Sequence, residues 1–311
     1  MDPDWRPTAD LDVMRARAAL LSAVRQFFAE REVLEVETPL LCAAPVTDPS
    51  VQVLTAASRY LQTSPEYAMK RLLAAGSGPI FQICKAFRGA EAGSRHNPEF
   101  SMLEWYRPGF ASTDLMQEVE DLLRPLLPGW SWERISYRQL FLDHLGVEPH
   151  QASLEQLQHL AALHVETNFV SADRDDWLSL LMTHVIEPRL SATTLLVVYD
   201  YPASQCALAR LCERDGIVVS DRFEVYGGGL ELANAYCELA DPEELLRRFQ
   251  KDLQHPALSS AQRPIDQRLL AALEAGLPDC SGIALGLDRL LMLQLEMDDI
   301  DKVLTFPWAQ A

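Results

Sequence analysis

Apolar positions recur at helical spacing near the start of the chain. Leu21, Val24 and Phe28 share one face of a helix expected over Leu11 to Glu30. A strand-like run, Val33 to Leu41, follows and carries Pro39. Ser64-Pro65-Glu66 reads as a helix start, with Ser64 as N-cap and Pro65 in the first turn, and that helix stops near Gly76. Pro79 to Arg88 and Glu99 to Arg107 read as two strands joined by a polar loop. From about Ser112 to Leu190 the pattern is mostly helical, most clearly over Ser112 to Leu127 and Ser153 to His164. Leu195 to Tyr201 returns to strand, and Asp221 to Glu238 reads as a hairpin around Gly227-Gly228-Gly229. Asp241-Pro242-Glu243-Glu244 opens a further helix as a capping box. A glycine-punctuated run, Cys280 to Arg289, leads into an apolar helix. Strands flank a helical block rather than alternating with helices. This predicts an α+β fold on a mostly antiparallel sheet, not a doubly wound one.

Composition narrows the picture. The 311 residues, 48% hydrophobic, are enough for a sizeable core and exclude a disordered chain. Lys plus Arg number 27 against 45 Asp plus Glu, a formal charge of -18. Such a surface repels nucleic-acid phosphates unless basic residues cluster locally, and it equally describes a plain soluble acidic protein. Met1 to Asp12 lacks a basic segment followed by an apolar one, so no secretory signal is expected, and no run of 18 apolar residues suggests a membrane span. Cys42, Cys84, Cys206, Cys212, Cys237 and Cys280 form no C-x-x-C pair, and they read as buried reduced thiols of a cytoplasmic protein.

Four segments carry candidate chemistry. If Gly227-Gly228 make a two-residue turn, Glu224 faces Glu231 across the hairpin. Like charges so placed repel, and a divalent cation between them removes the conflict. A solvent-facing pair, or a turn at Gly228-Gly229, are the alternatives. On the strand Glu99 to Arg107, period two puts Phe100, Met102, Glu104 and Tyr106 on one face. Glu104 there needs a counter-ion, either a cationic ligand or a protein Arg or Lys. Arg88-Gly89-Ala90-Glu91, followed by Arg95-His96-Asn97-Pro98-Glu99-Phe100, places basic and polar groups in a loop able to clamp polyphosphate. There is neither a P-loop nor a G-x-G-x-x-G fingerprint. In Gly282 to Arg289, small residues let a ligand approach a strand backbone and Arg289 can reach a phosphate; tight strand-to-helix packing is the other explanation.

Together and in order these segments resemble the three signature motifs of class II aminoacyl-tRNA synthetases. Val33 to Pro39 resembles motif 1, Phe87 to Phe100 motif 2, and Gly282 to Arg289 motif 3. The R-H-N-P-E-F run, T-S-P-E at Thr63 to Glu66, and E-L-A-N-x-x-x-E from Glu231 to Glu238 are similar to lysyl-tRNA synthetases, over about Leu20 to Trp308. The differences point further. Motif 1 begins at Val33, so no anticodon-binding barrel is expected ahead of it. Ala284 stands where lysyl-tRNA synthetases usually have glycine. Ala90 replaces a usual glutamate, with Glu91 beside it to take that role. These features, with Leu103 to Pro108 and Pro278 to Gly282, resemble the truncated lysyl-synthetase paralogues that modify bacterial elongation factor P.

The resemblance implies a single catalytic domain over residues 1–311, with a helical insertion at about 112–190 and no anticodon-binding domain. It implies a cytoplasmic homodimer that activates (R)-β-lysine with ATP and Mg²⁺ and passes it to a lysine of elongation factor P, with no tRNA or membrane partner. Arg88, Arg289 and Glu231 are the implied catalytic residues. Gly89, Ala90, Glu91, His96, Asn97, Phe100, Leu232 and Gly286 would join them around ATP, with Phe100 stacked on adenine. Glu224 and Glu231 would hold the metal. Ser64, Pro65, Glu66, Glu104, Tyr106, Asn234, Glu238 and Ala284 would surround the amino-acid substrate. Two other readings remain from the motifs: a tRNA-charging enzyme with a partner for anticodon recognition, and a non-catalytic regulatory paralogue. Retention of Arg88, Arg289, Glu224, Glu231 and Glu238 opposes the second, and only Ala90 favours it.

Overall fold

The computed structural model describes residues 5–89, 92–255, 258 and 263–311. Helix α1, Leu11–Ala29, starts where Asp10 accepts hydrogen bonds from the backbone N–H groups of Asp12 and Val13. Its buried stripe is Val13, Leu20, Val24 and Phe28, with Leu21 only partly buried beside it. The stretch expected as one strand over Val33 to Leu41 is instead two short pieces, β1 (Leu34–Glu35) and β2 (Leu41–Cys42). Pro39, which has no N–H to donate to a ladder, lies in the unpaired stretch between them. β2 joins β3 (Thr55–Ala56) and β4 (Arg59–Leu61) in a small separate sheet. Helix α2 spans Glu66–Ala74 with Pro65, not Ser64, at the N-cap; Ser64, one residue earlier, still accepts from the Glu66 N–H at 3.0 Å through its Oγ.

The main sheet is built from β1, β5 (Ile80–Phe87), β6 (Glu99–Pro108), β7 (Ser131–Ser136), β8 (Thr194–Pro202), β9 (Leu211–Arg214), β10 (Ile217–Gly227), β11 (Leu230–Cys237) and β12 (Cys280–Gly286). Its order is β1-β5-β6-β12-β11-β10-β8-β7, with β9 on β10. All pairings are antiparallel except β1 with β5 and β7 with β8. The α+β expectation therefore holds, in a mixed sheet. The predicted helical block contains α3 (Ser112–Leu123), α4 (Tyr137–Leu145), α5 (Leu154–His164) and α6 (Arg174–Leu181), but β7 interrupts it and enters the sheet. Helices α7 (Pro242–Leu253), α8 (Gln267–Gly276) and α9 (Leu287–Gln294) follow, α7 being capped by Asp241 as its sequence predicts.

Period two sorts the central strands into two faces. Phe81, Leu103, Trp105, Ile283, Leu285, Ala233 and Val225 pack into the main core with α1, α3 and α9. Phe28 of α1 stacks on Phe81 with ring centroids 4.5 Å apart and meets Trp105 edge-on at 5.3 Å. The opposite face keeps its polar residues. At one end α4 to α6 cover it through Leu196, Val198 and Tyr226, and at the other α2, α7 and α8 close over Ile80 and Tyr106. Between these two lids the middle of the sheet floors a cavity of about 780 Å³. Among the cysteines only Cys237 and Cys280 are buried. The other four are half-buried, and all six are free.

Candidate active site

The glycine turn sets the register of the site. Gly227 pairs with Leu230, so the two-residue turn is Gly228-Gly229, both at positive φ (58° and 71°), as a tight hairpin turn requires. Glu224 consequently faces Asn234, not Glu231 as the Gly227-Gly228 turn predicts. A bulge then intervenes: Tyr226 pairs with Glu231 and Val225 with Ala233, leaving Leu232 as the extra residue. On a flat strand Glu231 and Asn234, three apart, point to opposite faces. The bulge puts both on the cavity side, together with Glu224.

The expected site residues converge. Ser64, Glu66, Arg88, His96, Asn97, Phe100, Glu104, Tyr106, Glu224, Glu231, Leu232, Asn234, Glu238, Ala284, Gly286 and Arg289 all line the one cavity. Pro65 and Gly89 sit behind it. Pro65 starts α2, and the Gly89 N–H donates to the Gln52 carbonyl at 2.8 Å. Ala90 and Glu91 lie outside the described residues.

At one end the guanidinium of Arg88 lies 5.2 Å from the Phe100 ring centroid, and its buried Nε has no hydrogen-bond partner among the described residues. Arg289 donates to the Glu231 carbonyl at 2.6 Å and stands 2.7 Å from His96 Nε2. Asn97 is buried and busy: its amide donates to the Glu99 carbonyl at 2.6 Å, and its oxygen accepts from the Trp308 N–H at 2.9 Å. It thus ties the chain's end to the loop before β6. These arginines, on an otherwise acidic chain, form the local basic patch that polyphosphate binding needs.

In the middle, Glu224 is held by Arg222, by the Tyr201 hydroxyl at 2.5 Å and by Tyr226. The Glu231 carboxylate has no hydrogen bond or ion pair among the described residues. Burial first, and then Glu224, push its pKa up to about 7 against the pull of Arg289, Arg222 and Arg88. One anchored and one free carboxylate are the kind of donors Mg²⁺ takes, since it binds a few carboxylates and leaves its other positions to phosphate and water.

At the far end lies a carboxylate cluster. Glu104 accepts from Ser64 Oγ at 2.7 Å and from the Tyr106 hydroxyl at 2.6 Å. No Arg or Lys pairs with it among the described residues, although Lys70 lies close enough to act on its charge. Burial, then Glu66, push its pKa up to about 7. Lys70 alone pairs with Glu66 and Glu238, at 2.6 Å to each. Cross-strand pairing aligns Glu104, Ala284, Asn234 and Glu224 in one row, and Tyr106, Gly282, Tyr236 and Arg222 in the next.

Sequence reasoning missed Lys70, Arg222, Tyr201 and the loop Val46 to Val51 that also lines the cavity. Arg222 was findable, because it sits two residues before Glu224 and so shares its face. It donates to the Asn234 oxygen at 3.1 Å and to the Gln205 carbonyl at 3.0 Å. Lys70 lies four residues after Glu66, a spacing that ordinarily marks an exposed helix pair.

The cavity thus has an arginine end and a carboxylate end with Glu224 and Glu231 between them, all on the antiparallel centre of the sheet. The sequence matches the profile described as tRNA synthetases class II (D, K and N) over residues 4–310, and the chain belongs to that family. Among curated proteins it is 47% identical to the elongation factor P–(R)-β-lysine ligase of Vibrio campbellii, over 99% of each chain. It is 46% and 48% identical to the proteins of the same name from Photobacterium profundum and Vibrio cholerae, again over 99% of each.

Proposed function

We propose that this protein activates (R)-β-lysine with ATP as an adenylate and transfers it to a lysine side chain of elongation factor P. The observation that carries the reading is Glu104, a buried carboxyl beside Glu66 and Glu238 with no protein cation of its own among the described residues. A substrate ammonium completes the charge. The names of the relatives supply the acceptor.

In the first step a carboxylate oxygen of the substrate attacks the α-phosphorus of ATP, and pyrophosphate leaves. Arg88 and Arg289 bind phosphate oxygens, Phe100 stacks on adenine, and His96 and Asn97 frame the nucleotide; the expected parts of Ala90 and Glu91 lie outside the described residues. Glu224 and Glu231 would hold Mg²⁺, which supplies charge neutralisation on the phosphates. Glu104, Tyr106 and Glu238 take the side-chain ammonium, while Glu66 and Asn234 face the other amine and the carboxylate. Catalysis by this set is orientation and charge stabilisation, without a covalent nucleophile. In the second step the neutral acceptor amine attacks the acyl carbon, and AMP leaves.

The exposed Leu34, Leu40 and Leu41 around β1 and β2 support a homodimer through the motif 1 segment. The -18 charge disfavours tRNA as acceptor, and six unbridged thiols fit the cytoplasm. The same reading takes the chain as one catalytic domain in which, of the helical block at about 112–190, α4 to α6 cover one end of the cavity while α3 and β7 belong to the core and the sheet.

The decisive test incubates the protein with ATP, Mg²⁺, (R)-β-lysine and elongation factor P and weighs the factor intact. An ATP-dependent gain of one lysyl unit is expected. Charging of tRNA instead would return the chain to the tRNA synthetases. Ala284 lines the cavity between Glu104 and Asn234. Ala284→Gly is expected to move the kcat/KM ratio toward α-lysine by about tenfold, the worth of one methyl group in a fitted pocket. An unchanged ratio in pyrophosphate exchange with the two isomers would remove Ala284 from the specificity set.

A further inference from the structure

Helix α1 buries Val13, Leu20, Val24 and Phe28, and the helical spacing of that stripe also takes in position 17, where an arginine stands. A charge on the core side of a helix needs partners, and Arg17 has two. Its Nη1 lies 2.7 Å from Oδ1 of Asp288, with the two side chains 20% and 3% exposed. Charge holds this contact, since Oδ1 accepts no aligned hydrogen bond among the described residues. The Nη2 of Arg17 donates to the Val303 carbonyl at 2.8 Å. Both partners pass the grip onward. The second oxygen of Asp288 accepts the Ser101 N–H at 2.7 Å, on β6 directly after Phe100. Val303 closes the turn Ile300–Lys302, whose first N–H donates to the Ser94 carbonyl at 2.8 Å. Ser94 and Ser101 flank His96, Asn97 and Phe100, which line the arginine end of the cavity, and Asp288 directly precedes Arg289 at the start of α9. Arg17 itself is not among the residues that line the cavity.

We propose that Arg17 is a positioning residue for the nucleotide: through Asp288 and the Ile300–Lys302 turn it fixes both flanks of the segment that carries His96 and Phe100, and the helix start that carries Arg289. This deepens the ATP reading and rests on it. Both oxygens of Asp288 are taken by the protein, so Asp288, like Arg17, acts through its neighbours. Arginine suits the place because its two terminal nitrogens form a rigid fork that holds two partners at a fixed separation. The amine end of the cavity hangs on different supports: Glu104 on Ser64 and Tyr106, and Glu66 and Glu238 on Lys70. Loss of the Arg17 grip therefore acts on one substrate and spares the other.

The test is ATP binding by titration calorimetry, with KM values for ATP and (R)-β-lysine from pyrophosphate exchange. Arg17→Met keeps the side chain's length and removes its charge, and Asp288→Asn keeps the shape and breaks the ion pair. Each is expected to weaken ATP binding by about tenfold or more, since displacement by about 1 Å at groups that hold a substrate costs on the order of a hundredfold in rate. KM for the amine at saturating ATP stays within about threefold. The double variant loses no more than the worse single one, because both changes break the same chain of contacts. Arg17→Lys, which keeps the charge without the fork, recovers part of the ATP affinity. Unchanged ATP affinity in a folded variant would overturn the proposal. So would equal losses for ATP and amine, which would show that the pair serves the fold alone. Should Arg17→Met fail to fold, Asp288→Asn carries the same comparison. A wild-type protein that binds no ATP would instead strike the functional reading itself, and this proposal with it.

Discussion

Glu231→Gln is expected to lower ATP–pyrophosphate exchange by about a thousandfold or more, the scale of losing an electrostatic contact made to charge that develops in the transition state. The substitution keeps the shape of the side chain and deletes its charge. Glu231 is the cavity carboxylate with no protein partner for its side chain among the described residues, whereas Glu224 is held by Arg222 and two tyrosines. The fold has no use for the Glu231 charge. Its folded pKa of about 7 lies above the usual 4.5. Stability is therefore unaffected by this group at pH values below the ordinary carboxylate range and falls as pH rises from there toward neutrality, where the unfolded chain ionises before the folded one. Replacing the carboxylate with an amide removes that cost, so the variant's Tm at neutral to mildly alkaline pH should equal or exceed the wild type's. Thermal unfolding and exchange measured on one preparation decide the matter. Normal exchange would end the metal assignment, and a lowered Tm would show that the carboxylate serves the fold.

Gly282→Ala is expected to abolish use of the amine substrate while sparing ATP. A Cβ at this position would lie 2.3 and 2.4 Å from two ring carbons of Tyr106 and 2.8 Å from Glu238 Oε1. Gly282 lies between Tyr106 on β6 and Tyr236 on β11, in the row next to Glu104 and Ala284. Its φ is not positive, so the penalty is steric contact and not backbone strain. Relief requires the Tyr106 ring to move, and its hydroxyl then leaves Glu104. Displacement by about 1 Å at such a group costs on the order of a hundredfold in rate, and overpacking costs about 1–3 kcal/mol in stability. Nucleotide affinity by titration should stay near wild type, because Arg88, Phe100 and Arg289 lie at the other end of the cavity. An unchanged KM for lysine would show that Tyr106 is not a fixed wall of the pocket.

The local pattern was enough to separate the sheet's two faces. Alternation on β6 assigned Phe100, Met102, Glu104 and Tyr106 to the cavity and Leu103 and Trp105 to the core, because side-chain direction on a strand follows from parity alone. Motif order likewise brought Arg88, Glu231 and Arg289 to one site, and Asp241 marked a helix start. Register was another matter. Whether the turn fell at Gly227-Gly228 or Gly228-Gly229 depended on how β10 packs between β8 and β11, and the bulge at Leu232 that aligns Glu231 with Asn234 is a property of the pair of strands, not of either sequence. The entry of β7 into the sheet required β8, which begins only at Thr194, as its parallel partner. Lys70 illustrates the same limit for chemistry. Its spacing from Glu66 was visible, but burial and the approach of Glu238 from the end of β11 turned an ordinary helix pair into a buried lysine shared by two carboxyl groups. Sequence determined which side chains face the cavity, since periodicity is local. Only the tertiary structure decided which of them meet and which lose water, since register and desolvation depend on partners far along the chain.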